Sequence, residues 1–341
     1  MKATLASALV LTAAVGALVA GVWSHGGTTH APRAIGVLEG ATRALVADGG
    51  MFVPSIVFDE RRGAFRLWYH GPSATHRVDV LHRESPDGRT WGPPATVWSG
   101  DAWGTGVRPD GDRYRWLTYQ IQEKDGVVAG VYAGESADGV QWGPLRGPLL
   151  RFKDGVGDIV DVFRDPLRGR WGAFVKMFAK SREFGPDPRT ASVRRLTGFT
   201  SSADFDHWTA PVRMFVPDRR DEGETEFYGA ACCLVRDRRL VAFLRVLRDD
   251  IGQGIGYTVL AWSDDGTTWE RARTPFLDRC PGTFDASTAW VYGVTEHEGT
   301  IYLAYSAYDT GHKVGDRAVA IATMPSAALD VPGGVGPGCA R

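Results

Sequence analysis

The sequence predicts an all-β fold built from repeats, and two kinds of observation carry that prediction. The first is a short polar segment that recurs four times: SPDGRTW at 85–91, SADGVQW at 136–142, SADFDHW at 202–208 and SDDGTTW at 263–269. The second is a hairpin ahead of each copy, two alternating strands joined at a Gly/Asp turn, as in SIVFDERRGAFRLWYHG, VRPDGDRYRWLTYQ, VDVFRDPLRGRWGAFVKM and CCLVRDRRLVAFLRVL. A fifth hairpin, WVYGVTEHEGTIYLAYSA, leads to a last strand, DRAVAIATM, without the tryptophan segment. No helical period runs through these repeats. Units of three to four antiparallel strands, each about 50 to 65 residues long, predict a five-bladed β-propeller. One blade cannot bury both faces of its sheet, whereas neighbours stacked around an axis can.

The chain opens with Lys2 and an apolar run of small residues, ATLASALVLTAAVGALVAGVW, with no charged side chain until Arg33. A basic start followed by such a run predicts a secretory signal. Leu5 to Trp23 is also long enough to cross a bilayer as an uncleaved anchor. Residues 1–30 are therefore expected to be a signal peptide or anchor with a linker, and 31–341 a single propeller domain. The expected location is secreted or anchored at the membrane. AIGVLEG or RALVA, just after the linker, is expected to complete the last blade. A net charge of −1 gives no global field favouring nucleic acid or an anionic membrane surface.

Export permits disulfides. Cys232 and Cys233 are adjacent in a strand-like run, where alternation sends them to opposite faces. At most one structural bridge is expected, with Cys280 and Cys339 the candidate pair, although connectivity does not follow from sequence. The spacing is not that of a zinc site.

The polar segment belongs at the turn between a blade's third and fourth strands. Its Asp can accept turn N–H groups, and its Trp packs between blades. That turn lies far from the propeller axis, so its serine and aspartate are scaffold.

Chemistry is expected where the innermost strands begin. Registering the hairpins places ADGGMFVPS, SGDAWGTG, GVGDIVDV, EGETEFYG and GTFDASTAW at those starts, each with a carboxylate: Asp48, Asp101, Asp158, Glu224 or Glu226, and Asp285. Such a set suits paired-carboxylate chemistry, in which one protonated carboxyl donates to a leaving group and one ionised carboxylate attacks or activates water. Crowded carboxylates push one another's pKa values apart, which separates those roles. Asp48, Asp158, Glu226 and Asp285 are the candidate catalytic set.

SADGVQW and SDDGTTW resemble the Asp-boxes of sialidase propellers, one residue shorter. Over about residues 45–325 the wider pattern resembles the five-bladed glycoside hydrolases that include invertases, levansucrases, arabinanases and β-xylosidases. Those families place Asp, Asp and Glu on their first, third and fourth blades. The resemblance then implies Asp48 as base or nucleophile, Asp158 as orienter and pKa tuner, and Glu226, or its neighbour Glu224, as acid. It also implies a Gly-His near the pocket, matched by His312. FRDP at 163–166 matches the invertase-type Arg-Asp-Pro, but Asp165-Pro166 aligns with the hairpin turn at Asp59-Glu60, where proline fits and a central ladder would reject it. Asp101, Trp103, Arg108, Glu224, Tyr228, Arg245 and His312 are the expected substrate-binding residues, through hydrogen bonds and ring stacking.

The expected function is an exported glycoside hydrolase acting on an oligo- or polysaccharide. A non-catalytic carbohydrate-binding propeller is the alternative from another class. A sialidase is disfavoured, because no Phe-Arg-Ile-Pro opening is present and five units fall short of its usual six. No cofactor is expected. Fold analogy leaves room for a structural calcium ion in the central channel beside Asp285 or His312. The chain is expected to be a monomer, with no nucleic-acid partner.

Overall fold

The alternation of β-branched and aromatic residues with polar ones, broken by glycine turns, gives strands throughout. A computed structural model describes residues 42–49, 52–121, 127–180, 193–221, 223, 225–312, 314–329 and 331. The first strand, β1 (Thr42–Ala47), stands apart in sequence from the units that follow. The first unit is β2 (Phe52–Asp59), β3 (Ala64–Gly71), β4 (Asp79–Ser85) and β5 (Ala95–Ser99). The second is β6 (Ala102–Asp110), β7 (Arg113–Gln120), β8 (Gly130–Ser136) and β9 (Arg146–Arg151). The third is β10 (Val156–Arg164), β11 (Trp171–Lys180), β12 (Val193–Ser202) and β13 (Val212–Phe215). Each of these is a four-stranded antiparallel sheet with its strands in chain order.

The remaining strands form one eight-stranded sheet with two antiparallel halves. One half is β14 (Thr225–Arg236), β15 (Arg239–Arg248), β16 (Ile255–Ser263) and β17 (Glu270–Arg271). The other is β18 (Thr288–His297), β19 (Thr300–Tyr308) and β20 (Arg317–Pro325), completed by β1 on the outer side of β20. A single parallel pairing, Gly256 with Thr288, joins the halves. The strand that completes the last unit is thus RALVA. AIGVLEG, the segment 1–30, Lys313 and Cys339 lie outside the described residues. All the described residues belong to one compact unit, Ile35–Arg341.

The first strands pack on one another in a closed cycle: β2 on β6, β6 on β10, β10 on β14, β14 on β18, and β18 back on β2. Such close approach leaves no room for a side chain at the contact between β18 and β2. A Cβ at Gly293 would meet the Ile56 nitrogen at 2.6 Å. Apolar clusters fill the spaces between neighbouring units. One of them joins Phe163, Phe174 and Phe215 of the third unit to Phe227, Leu240 and Trp269 of the fourth.

The four Ser–Asp–Trp segments all lie between third and fourth strands. Ser85 Oγ donates to Asp87 Oδ1 at 2.9 Å, and that oxygen accepts the N–H groups of Arg89 at 2.8 Å and Thr90 at 2.7 Å. Asp138, Asp204 and Asp265 repeat the arrangement. Each turn also docks on the unit before it. Trp68 Nε1 donates to the Gly139 carbonyl at 2.8 Å, and Arg66 Nη1 to the Asp138 carbonyl at 2.6 Å. The Arg115 guanidinium lies 5.5 Å from the Phe205 ring centre, Arg168 donates to the Asp264 carbonyl, and Gly88 abuts Tyr302 of the last unit. These aspartates are consumed within their turns: the turn amides hold the Asp87 and Asp265 carboxyls well below the usual range, and at Asp204 the His207 side chain does so together with the turn amides. They are anchors between sheets.

Asp165 sits in the β10–β11 turn, buried, accepting the N–H groups of Leu167 at 2.9 Å and Arg168 at 3.2 Å. Asp59 caps the β2–β3 turn in the same way, accepting the Arg61 N–H at 3.1 Å. Asp165 is therefore a turn residue, far in sequence register from the start of β10.

Candidate functional site

Every first strand carries an irregularity near its start. The pairing with the second strand slips between Phe52 and Ser55, Trp103 and Gly106, Val156 and Val160, Phe227 and Ala230, and Val291 and Gly293. A bulge leaves residues unpaired and re-aims their side chains. The residues freed in this way include Asp158, Tyr228 and Tyr292, with Val53 held at φ 53. That backbone is strained for a β-branched residue. It is stabilised by the Ser306 hydroxyl, which accepts the Val53 N–H at 2.8 Å, and by Thr105 Oγ1, which donates to the Val53 carbonyl.

The slips bring aromatic residues of different units together at one end of the first strands. Phe52, Tyr228, Trp290, Tyr292 and Tyr308 form a buried cluster, with Trp103 and Ile159 packed against it. Tyr228 stacks on Trp290 at 4.8 Å, and Trp103 lies 5.3 Å from Phe52.

Charged groups gather around Tyr228. Glu226, on β14, is 1% exposed and accepts a hydrogen bond from Arg195 Nη1 of β12 at 2.7 Å. Burial pushes its carboxyl above the usual range; Arg195 pulls the other way and Asp249 adds to the rise. Its Oε1 is buried with no hydrogen-bond partner among the described residues. Asp158 is half-exposed and paired with Lys176 of β11, whose ammonium lies 5.4 Å from the Tyr228 ring centre. The Arg195 guanidinium lies 5.2 Å from the same ring. The Tyr228 hydroxyl is 3.2 Å from His312 Nε2. Burial raises the Tyr228 phenol well above its ordinary pKa, with the Glu226, Asp249 and Asp158 charges adding to the rise. Around one aromatic ring, then, stand a buried carboxyl paired with a guanidinium, a carboxylate beside an ammonium, and an imidazole.

The space between the first strands behind this cluster is filled. Asp161 of β10 pairs with Arg245 of β15, which also donates to the carbonyls of Tyr228 and Val291, each at 2.9 Å. The Arg245 guanidinium lies 3.8 Å from the Tyr292 ring centre. Arg108 Nη1 donates to Ser55 Oγ and to its neighbour's carbonyl, both at 2.8 Å. Burial raises the Asp161 carboxyl, against the pull of Arg245 and Arg108. Only about 10 Å³ of cavity remains between these groups. Arg108 and Arg245, expected to touch substrate, are thus buried in internal bonds.

The other expected residues are placed as follows. Asp48 is exposed beyond the end of β1, where its own Oδ1 accepts the Gly49 N–H at 2.7 Å. Asp101 accepts the Arg77 N–H at 3.2 Å. Asp285 is 1% exposed and turns outward: it accepts bonds from Arg43 of β1 at 2.6 Å, from the Tyr305 hydroxyl at 3.1 Å, and from Thr283. It fastens the closing strand to the last unit. Glu224 lies outside the described residues. Of the sequence candidates, Asp158, Glu226, Tyr228 and His312 come together, with Trp103 on the aromatic side. Lys176, Arg195 and Asp161 were not among the expected site residues. Asp161 was detectable as an aspartate inside the apolar run IVDVF, since a buried charge needs a partner, and VAFLRVL supplies one in Arg245.

Among the described residues, no group of three or more His, Cys, Asp or Glu side chains could hold a metal ion. Asp161 already faces two guanidinium groups, and Asp285 is paired with Arg43.

No protein-family model matches the chain, and no curated protein sequence matches it. Solved structures do. One described as a glycoside hydrolase aligns with TM-score 0.58 over 85% of this chain and 94% of its own, at 16% identity. A glycosyl hydrolase from Bacteroides ovatus gives 0.58 over 80% and 84%, at 15% identity. The β-1,2-mannobiose phosphorylase of Listeria innocua, in complex with β-1,2-mannobiose, gives 0.60 over 85% and 92%, at 13% identity. At these identities the likeness is one of fold.

Proposed function

We propose that the chain is a five-bladed β-propeller and an exported glycoside hydrolase, cleaving an oligo- or polysaccharide at the aromatic and carboxylate cluster around Tyr228. The closed cycle of first strands supports the propeller, and the apolar N-terminal run supports export. The observation that carries the activity is Glu226: a buried carboxyl raised by its surroundings, with one oxygen left without a hydrogen-bond partner among the described residues. Such a group keeps its proton at a pH where exposed carboxylates have lost theirs, and it can donate to the leaving glycosidic oxygen. Asp158, beside the Lys176 ammonium, is the ionised partner that attacks the anomeric carbon or takes a proton from water. In the first route Glu226 regains its proton from the water that hydrolyses the glycosyl–Asp158 ester. In the second, Asp158 carries the proton from water, and exchange with solvent returns both groups to their starting states. The partly exposed Trp103 ring suits the apolar face of a sugar ring.

A second reading has a specific observation behind it. Lys176 and Arg195 place two cations over one ring beside the carboxylates, which is also a setting for inorganic phosphate as the attacking group. The experiment is a reducing-end assay over a panel of neutral and acidic glycans, with and without phosphate, on the wild type and on Glu226→Gln, Asp158→Asn and Asp48→Asn. Cleavage without phosphate, abolished in Glu226→Gln, supports hydrolysis. A strict phosphate requirement moves the reading to a phosphorylase. Sugar binding without cleavage under any condition makes the chain a carbohydrate-binding protein.

A further inference from the structure

A cavity of about 440 Å³ opens beside β14, away from the cluster around Tyr228. Thr225 and Phe227 line it, while Glu226 between them points away to Arg195, as alternation along a strand requires. Its floor is apolar, and its volume falls within the usual range for a small-ligand site. Five arginines and two aspartates line it.

Most of those arginines are neutralised in place. Arg271 donates to Asp221 at 2.6 Å and lies over the Phe227 ring at 4.7 Å. Arg273 bonds Asp221 at 2.8 Å and Asp218 at 2.7 Å, and Arg248 bonds Asp250 at 2.9 Å. Among the described residues, four of the five guanidinium groups are thus paired with three carboxylates, Asp221 and, just outside the cavity, Asp218 and Asp250. Arg279 differs from the rest. Its guanidinium donates to the Ala286 carbonyl at 3.3 Å and has no carboxylate partner among the described residues. The neighbouring Asp278 is turned to the backbone, accepting the Arg279 N–H at 2.8 Å.

We propose that this cavity is a second saccharide site, specific for a carboxylate-bearing sugar such as a hexuronate unit. Its carboxylate pairs with Arg279, its hydroxyls bond the rigid arginine–aspartate walls, and its ring rests on the apolar floor beside Tyr257. Planar guanidinium suits a carboxylate, and the paired walls are preorganised to bind hydroxyls. That the ligand is a saccharide rests on the function proposed above; that it is anionic rests on Arg279.

Calorimetric titration of the full chain carrying Glu226→Gln, which prevents turnover, tests this with trigalacturonate and with galactotriose as the neutral probe. Trigalacturonate is expected to bind at least tenfold more tightly than galactotriose. Arg279→Gln should weaken trigalacturonate by about tenfold or more, and Arg279→Lys by less, while Lys176→Met leaves it unchanged. Arg279 is half-exposed, so these variants keep the fold, which a thermal melt verifies. The proposal is overturned by equal binding of the two probes, by no trigalacturonate binding, by binding indifferent to Arg279, or by binding lost in Lys176→Met. Because binding alone is measured, a chain that cleaves no glycan yet holds trigalacturonate at Arg279 would sink the hydrolase reading and leave this one standing.

Discussion

Replacing Arg245 with methionine should unfold the centre of the ring more readily than any surface change. Arg245 and Asp161 are both buried, and the guanidinium also holds the carbonyls of Tyr228 and Val291. Methionine fills the space of the stem but leaves Asp161 with the Ala230 N–H and the more distant Arg108. Removing one partner of a buried pair costs about 3–5 kcal/mol, and the two lost carbonyl bonds keep the expected figure near the middle, about 4 kcal/mol. For a chain of this size that lowers Tm by about 6 °C. The pH dependence has a definite sign. Burial already raises Asp161, and loss of Arg245 raises it further, so the protonated form is the one the folded variant tolerates. Its penalty is absent below the unfolded carboxyl pKa and grows as pH rises. The gap between wild type and Arg245→Met, measured by urea unfolding, should therefore be larger at pH 8 than at pH 5. The double variant Asp161→Asn/Arg245→Met should be more stable than Arg245→Met alone. A loss under about 1 kcal/mol, equal at both pH values, would refute the buried-pair account.

Three further outcomes are expected. Burial holds His70 and His82 down to about 3, so the unfolded chain binds protons that the folded chain refuses as pH falls below about 6.5. Each should remove about 2 kcal/mol of stability between pH 7 and pH 5, and His70→Phe should recover its own share in the same urea series. Gly139→Ala should cost about 3 kcal/mol, because at φ 71 its Cβ would lie 2.8 Å from Arg66 Nη1 and 2.9 Å from Trp68 Cζ2. Gly63→Ala, at φ 60 with open space around it, should cost about 1 kcal/mol, so the difference between the two melts isolates the docking of the turn. Arg43→Ala leaves the buried Asp285 carboxylate with the Tyr305 and Thr283 hydroxyls. Since Arg43 is partly exposed, a loss of about 2 kcal/mol is expected, read by thermal unfolding.

The scaffold was legible in the sequence because its devices are local. A Ser–Asp–Trp turn is complete within seven residues, and Asp165-Pro166 declares a turn through proline alone. The site was only half legible. Asp158 and Glu226 could be located by stepping back from the hairpin turns, but which carboxylate faces inward depends on the bulges, and a bulge shifts alternation without a reliable local mark. That is why Asp285 looks equivalent to Glu226 in sequence and yet turns outward to Arg43. Lys176 and Arg195 come from second and third strands, 18 and 31 residues from their partners, Asp158 and Glu226. Only the cyclic packing of sheets brings them to one ring.

The most direct test of the account is the pH profile of glycan cleavage for wild type and for Glu226→Gln. The raised Glu226 carboxyl predicts activity lost as pH rises through its pKa, with the acid limb set by a carboxylate that must stay ionised. Glu226→Gln should fall by a factor of about 100 or more while still binding the same glycan. Cleavage retained in Glu226→Gln, with an unchanged alkaline limb, would contradict it.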